Sequence, residues 1–305
     1  MKRKVIQIAG STQLVSLPRA WALAQGIKKG DELEVEAQGN RIVISLDKAV
    51  EKFKKTEIDV TNLGSIVQRV LHALYKRGYD EVLVKYASPE LLQKVEEMLH
   101  DSTIGYEIVE QKQDHCIIKA ITGEISKEFD AMLRRTFLLL KTLLEGIVES
   151  IENEDDSQVN VLRAMEGGNN KYTGFCRRII NKNGLGESWR TALTYALVEE
   201  LEKIADECKY LCDYVLESKN NIKKSNRQMK ELYRELFELF NSCYESYYSF
   251  EIHKIQAHFG KRKKIIKEAQ KFFKIPCGQA RFAHYLLTMS QQIANILSIE
   301  MELNL

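Results

Sequence analysis

The sequence predicts a multidomain α+β protein that is mostly helical overall. Three observations predict this fold class. In residues 1–48, apolar residues form short runs or alternate with polar ones, which is typical of strands. Between 56 and 122, strand-like and helix-like runs alternate, which indicates a small α/β sandwich. From 126 to 305, apolar residues recur every three or four positions, and no proline occurs between 90 and 275, so long helices are expected.

The composition is that of a folded globular chain. The 305 residues are 44% hydrophobic and 29% charged, with a formal net charge of +2. No run approaches the ~18 consecutive apolar residues that span a bilayer, so membrane insertion is not expected. The six cysteines contain no Cys-x-x-Cys pair, which indicates neither a disulfide framework nor a zinc ribbon. A reducing cytoplasm is therefore the expected location.

The first domain, residues 1–48, is predicted to consist of strands joined by glycine turns. Gly10-Ser11 separates the first two apolar runs, and Pro18 begins a short helix that ends before Gly26. The predicted elements are strands at 5–8 and 14–17, a helix at 18–24, and strands at 33–37 and 42–44.

The second domain, residues 56–122, is predicted to be an α/β sandwich of the ferredoxin-like or ACT-like, ligand-sensing kind. Ser88-Pro89 supplies an N-cap and a first-turn proline to one of its helices. Fold analogy alone fixes no ligand. The predicted elements are a strand at 58–60, a helix at 63–74, a strand at 81–86, a helix at 90–99, and a hairpin of 106–110 with 116–121.

The remaining residues are predicted to form two tandem three-helix bundles, at 126–216 and 222–305. Polar breaks near 153–156 and 181–186 divide the first bundle into antiparallel helices. The second bundle has helices at about 222–250, 252–273 and 279–302. Apolar steps of four and three residues give the helices the seam of a left-handed bundle.

The opening residues carry a local positive charge in a chain that is nearly neutral. Residues 1–30 contain six basic residues and no acidic one: Lys2, Arg3, Lys4, Arg19, Lys28 and Lys29. Such a patch is typical of nucleic-acid contacts, although solvated lysines near a terminus give the same pattern. About 48 residues of strand bury little core alone, so a homodimer is expected. A two-fold dimer would match a pseudo-palindromic duplex.

The same segment carries four spaced motifs, which are Arg3-Lys4-Val5-Ile6-Gln7, Gly10-Ser11-Thr12, Val15-Ser16-Leu17-Pro18-Arg19-Ala20-Trp21 and Gly26-Ile27-Lys28-Lys29-Gly30-Asp31. In this order they resemble the AbrB/SpoVT/MazE swapped-hairpin DNA-binding domain. The resemblance implies that two chains exchange hairpins to form one β-barrel. It also implies contacts with double-stranded DNA from Arg3, Lys4 and Arg19, with Lys2, Lys28 and Lys29 as further candidates.

The third predicted helix of the first bundle has an acidic strip opposite its apolar seam. Its members are Glu199, Glu202, Asp206, Asp213 and Glu217. Glu202 and Asp206 lie one turn apart, and such oxygen ligands suit magnesium, calcium, manganese or iron. A solvated acidic face is the alternative interpretation.

Residues 201–207, 129–137 and 175–178 resemble segments of PhoU-type phosphate regulators, whose architecture is two tandem three-helix units. That resemblance implies a divalent-metal or iron site at Glu202 and Asp206, with Glu166 and Asn170 in the preceding helix. The matching pair in the last helix is Gln291 and Asn295, and amides are weak metal ligands, so the second unit is expected to lack a cluster. As an alternative, Arg163 and Arg177 pair with the acidic strip.

The order of the three parts resembles that of archaeal AbrB–PhoU fusion regulators. The sequence therefore predicts a non-enzymatic, DNA-binding transcriptional regulator linked to phosphate uptake. One alternative is an adaptor that does not bind DNA and docks on a phosphate transporter or a signalling protein. A metal-dependent phosphohydrolase using Glu202 and Asp206 is a remote alternative, because the sequence shows no nucleophile–base pair and no phosphate loop.

Overall fold

The structure is a computed structural model, and it describes residues 2–8, 10, 12–38, 41–45, 53–121, 128–217, 221–274 and 279–305. The polypeptide forms two compact units, Met1–Lys52 and Phe53–Leu305. Residues 39–40, between two predicted strands, and 275–278, between the last two predicted helices, lie outside the described residues. Ser11 of the predicted turn at 10–11 also lies outside them.

The described residues of the first unit form two hairpins and one short helix. Strand β1 (Ile6–Ile8) pairs antiparallel with β2 (Thr12–Leu14), and β3 (Glu34–Gln38) pairs antiparallel with β4 (Arg41–Ser45). Helix α1 (Arg19–Ala24) follows Pro18. The predicted position of the second strand, 14–17, is wrong by two to three residues, because the tight hairpin brings Ile6 opposite Leu14 and ends the pairing there.

The second unit begins with a sheet whose strand order is β5-β6-β8-β7. The strands are β5 (Lys55–Asp59), β6 (Glu81–Lys85), β7 (Tyr106–Gln111) and β8 (His115–Ala120). Strand β5 runs parallel to β6, and the other pairs are antiparallel. Helices α2 (Val67–Lys76) and α3 (Pro89–Ser102) connect the strands, with Pro89 in the first turn of α3. The predicted order of elements is confirmed. Strand β5 begins at Lys55, three residues before its predicted start.

The two faces of this sheet differ because the side chains alternate. Val82, Val84, Cys116 and Ile118 point to one face and are buried with residues of α2 and α3. The other face carries cross-strand ion pairs, such as Lys55 and Lys119 with Glu81 and Lys85 with Glu57. The sheet is therefore covered by helices on one side and polar on the other.

Six long helices complete the second unit. They are α4 (Phe129–Asn153), α5 (Val159–Asn183), α6 (Ser188–Leu216), α7 (Arg227–Tyr248), α8 (Ile252–Ala269) and α9 (Gln279–Asn304). Their bounds lie within a few residues of the prediction, since the apolar spacing and the lack of proline determine where helices can run. Gly184, at φ 67°, ends α5 in a backbone conformation that glycine adopts without strain. None of the described helices is both long and apolar enough to cross a membrane.

The helices predicted as two tandem bundles share one hydrophobic core. Leu201 and Cys208 of α6 belong to the same buried cluster as Leu286 and Ile293 of α9 and Phe240 of α7. The seams of α6 and α9 face each other, since the sulfur atoms of Cys208 and Met289 lie 3.7 Å apart. The predicted helix order is therefore observed, but the two groups of helices are not separate in packing.

The sheet layer and the helices have separate apolar cores, and a polar contact connects them. Arg178 of α5 is 1% exposed and is the largest fully buried side chain among the described residues. Its guanidinium donates to the carbonyl oxygens of Tyr75 (3.0 Å) and Tyr79 (2.6 Å) and to the Asp80 carboxylate (3.1 Å). It also donates to the Tyr106 hydroxyl at 3.2 Å. These contacts, which we call the Arg178 joint, hold α5 against the sheet layer.

Two glycines of α5 provide a matched test of this packing. A β-carbon at Gly174 would lie 2.8 Å from His72 Nε2, whereas one at Gly167 would have nothing within 4 Å. We expect Gly167→Ala to stabilise the protein by about 1 kcal/mol, because alanine favours helix. Gly174→Ala is expected to lose that gain and to cost about 1–2 kcal/mol of overpacking. Urea unfolding followed by circular dichroism measures both, and equal stabilisation by the two variants would contradict the close contact.

Candidate functional site

The six predicted DNA-contact residues all lie exposed in the first unit. They occupy three segments: Lys2, Arg3 and Lys4 precede β1, Arg19 is the first residue of α1, and Lys28 and Lys29 lie in the loop before β3. None of the six makes an ion pair with a described residue, in contrast to most cations of the α7–α8 surface, such as Lys264, which pairs with Glu235 at 2.6 Å. Their charge is therefore available to an external anion.

The loop that carries Lys28 and Lys29 is held by its own turn. The carboxylate of Asp31 accepts a hydrogen bond from the Lys28 backbone N–H at 2.7 Å. Gly26 and Gly30 have φ values of 69° and 98°, in the left-handed region that glycine adopts freely. The Gly-Asp turn predicted from the sequence therefore fixes the backbone beside the two lysines.

The apolar side chains of the first unit are not covered by the unit itself. Ile6, Leu23, Val35 and Ile42 are 58%, 69%, 62% and 69% exposed. No side chain described between 2 and 45 is buried. Large exposed apolar surface in so short a segment is typical of a surface that another chain covers.

The predicted metal residues lie together on facing sides of α5 and α6, but protein cations lie between them. Glu166 Oε1 accepts from Lys209 Nζ at 2.8 Å and from the Asn170 amide at 2.8 Å. Lys209 also lies 3.3 Å from Asp206. Burial raises the pKa of Asp206, and Lys209 opposes that shift.

The remaining acidic residues of the strip face arginines. The buried guanidinium of Arg177 lies 3.1 Å from Glu199 and also contacts Glu202, while Arg163 contacts Asp213. In the described ranges, no three His, Cys, Asp or Glu side chains converge as a metal site requires. The donor set does not fit a metal cluster, because these ammonium and guanidinium groups already neutralise it. The metal role of Glu166, Asn170, Glu202 and Asp206 stays a prediction from resemblance.

Sequence reasoning missed the Arg178 joint and the buried carboxyl group of Glu300. In the sequence, Arg178 belongs to the segment 175–178 that resembles PhoU-type regulators, and it lies beside Phe175 and Ile179 of the apolar seam. A basic residue beside an apolar stripe was the available signal. Its partner Asp80, almost a hundred positions earlier, shows no such signal because it lies in a turn.

One protein-family model, described as antidote-toxin recognition MazE, bacterial antitoxin, matches residues 6–52. No curated protein and no solved structure matches the chain. Arg19, Lys28 and Lys29 lie inside the matched range, and Lys2, Arg3 and Lys4 precede it. The opening unit is thus a domain of the MazE/AbrB type, and the match does not extend to the second unit with its helices α2 to α9.

Proposed function

We propose that the chain is a homodimeric DNA-binding regulator. The observation that carries the proposal is that the MazE-type unit exposes both an apolar surface and a set of cations that have no ion-pair partner among the described residues. Two copies that cover each other's apolar surface would place twelve such cations, six from each chain, on one body. A two-fold arrangement of positive charge is complementary to a duplex with two similar half-sites.

Contacts to the DNA backbone are the main expected source of affinity. Three of the six cations are the consecutive residues Lys2, Arg3 and Lys4, and such basic segments neutralise phosphates well. Phosphate contacts position a protein but carry little sequence information. Sequence preference is therefore expected to come largely from duplex shape.

The second unit is proposed to receive the signal that controls DNA binding by the first unit. The resemblance of residues 201–207 to PhoU-type regulators supports a link to phosphate uptake, through a phosphate transporter or a signalling protein. A signal couples to DNA only if it binds the DNA-competent arrangement with a different affinity. Comparing the bound genomic DNA at high and low phosphate tests this link, and an unchanged set of sites would contradict it.

The triple variant Arg3→Ala/Lys4→Ala/Arg19→Ala is expected to lose at least about tenfold in duplex affinity near 150 mM salt. The slope of log K against log salt is expected to become shallower by roughly one for each phosphate contact removed. Fluorescence anisotropy with a 30-base-pair duplex (about three helical turns) between 50 and 200 mM salt (roughly the range over which such contacts are lost) measures both quantities.

The matched control is Lys263→Ala/Lys267→Ala, which removes two exposed cations from α8. It is expected to keep both affinity and slope. A loss in this control, with normal affinity in the triple variant, would assign duplex binding to the helical surface instead. No duplex binding by the unaltered chain would favour the adaptor, for which the first unit only dimerises.

An antitoxin role is the second candidate, because the matched family is described by toxin recognition. The triple variant separates the two roles. A regulator loses control of transcription together with its DNA contacts, whereas an adaptor or antitoxin still binds its protein partner.

The chain is proposed to be non-enzymatic. Turnover of a phosphate ester that disappears in Glu202→Gln would contradict that.

A further inference from the structure

Strand β7 forms an open edge of the sheet. It pairs with β8 on one side, and no strand of the described chain pairs with its other side. A β-bulge follows Ile108, so the regular part of the edge is the segment 106–108. An edge strand presents unpaired backbone N–H and C=O groups to which a further strand can bind.

A groove of about 250 Å³ lies beside this edge, between β7 and α3. Leu99, Tyr106 and Ile108 give it an apolar lining, and Glu96, His100 and Glu107 supply its polar lining. Leu99 is 9% exposed and Tyr106 4% exposed, so the apolar part belongs to the core of the layer. A groove of this size accepts an apolar side chain of an added strand.

The charges around the groove are unbalanced. Glu96 and Glu107 are exposed, and neither has an ion-pair partner in the part of the chain that the structure describes. The nearby lysines are already paired, Lys112 with Glu110 and Lys119 with Glu81. His100 faces Asp101, with Nδ1 2.7 Å from the carboxylate. Glu96 lies on the α3 side of the edge, and Glu107 lies on the other face, directly opposite Lys119, which is itself paired with Glu81. The edge therefore carries a carboxylate on each face that complements the cations of an added segment.

Strand geometry defines the spacing of such a partner. Side chains of an added strand alternate between the two faces of the sheet. Those opposite Tyr106 and Ile108 point toward α3 and the apolar lining, whereas the one opposite Glu107 lies on the other face beside that carboxylate. Opposite charges at directly paired positions stabilise a strand pair. Apolar residues alternating with Lys or Arg fit both faces.

We propose that the edge of β7 and its groove are the docking site for an extended segment of a partner protein in which apolar and basic residues alternate. The segment adds a strand to β7 and places an apolar side chain between β7 and α3. This inference is independent of DNA binding, because every residue that carries it lies in the second unit.

The probe is a fluorescein-labelled peptide Lys-Val-Lys-Val-Lys, titrated into the full chain. We expect saturable binding and slower hydrogen exchange at the amides of 106–109. Glu96→Gln/Glu107→Gln is expected to weaken binding about tenfold, and Glu107→Lys to reverse the preference toward Glu-Val-Glu-Val-Glu. Glu145→Lys, an exposed site on α4, is the matched control and keeps the affinity.

Four results would overturn the proposal. The first three are no binding of the peptide, protection from hydrogen exchange at amides other than 106–109, and unchanged affinity in the double variant. The fourth is equal binding of a peptide whose amide nitrogens are methylated, because such binding would show charge attraction without strand pairing. Rapid disulfide linkage of Val109→Cys chains, together with exclusion of the peptide, would show instead that a second copy covers this edge.

Discussion

Arg178→Ala is expected to lower the free energy of unfolding by about 3–5 kcal/mol. The guanidinium is 1% exposed and satisfies two carbonyl oxygens, a hydroxyl and the Asp80 carboxylate. Alanine would leave these acceptors buried without their donor and would weaken the contact between the sheet layer and α5. Among the described residues, Asp80 would keep Lys182, 2.7 Å away, as its ion-pair partner.

Urea unfolding followed by circular dichroism measures this loss. Arg163→Ala is the control on the same helix, because Arg163 makes an ion pair that is about half exposed; it is expected to leave the midpoint nearly unchanged. Asp80→Asn combined with Arg178→Ala is expected to cost less than the two single losses together. A single-variant loss below about 1 kcal/mol would show that water replaces the guanidinium.

The second large effect concerns the pH dependence of stability through Glu300 of α9. This carboxyl is fully buried, and the Cys243 thiol donates to it at 3.2 Å. Burial raises its pKa from 4.5 to about 7. Between these values the folded protein binds a proton that the unfolded chain releases, so the contribution of Glu300 to stability falls as pH rises.

The titration of Glu300 is therefore expected to lower the free energy of unfolding by about 3 kcal/mol as the pH rises from below 4.5 to above 7. Because other carboxyls titrate in the same range, the quantity to measure is the difference from Glu300→Gln, which is neutral throughout. That difference is expected to favour the glutamine variant increasingly up to pH 7 and then to level off. Glu302→Gln, an exposed change in the same turn, is the control. A pH-independent difference would contradict the buried acid.

Local patterns predicted most of the elements. Helices α4 to α9 follow from apolar spacing and the position of Pro89 and Pro276, because a helix needs only local hydrogen bonds and one apolar face. Strand β2 was misplaced because hairpin register depends on the turn, which the apolar run 14–17 does not reveal.

The contacts between distant segments were not predictable from such patterns. Arg178 and Asp80 are ninety-eight positions apart, and no spacing rule connects them. The acidic strip was predicted, but its neutralisation by Lys209 of its own helix and Arg177 of α5 depends on how two helices face each other. Pairing of charges across helices is a property of packing, which periodicity in one helix does not specify.

The absence of any buried side chain in the described part of the first unit has a consequence for dosage. In the proposed homodimer, two copies of this unit cover each other's apolar surface, so the paired form is assembled by mass action. At low abundance the paired form grows with the square of the total amount, so a twofold rise in synthesis gives nearly a fourfold rise in paired molecules.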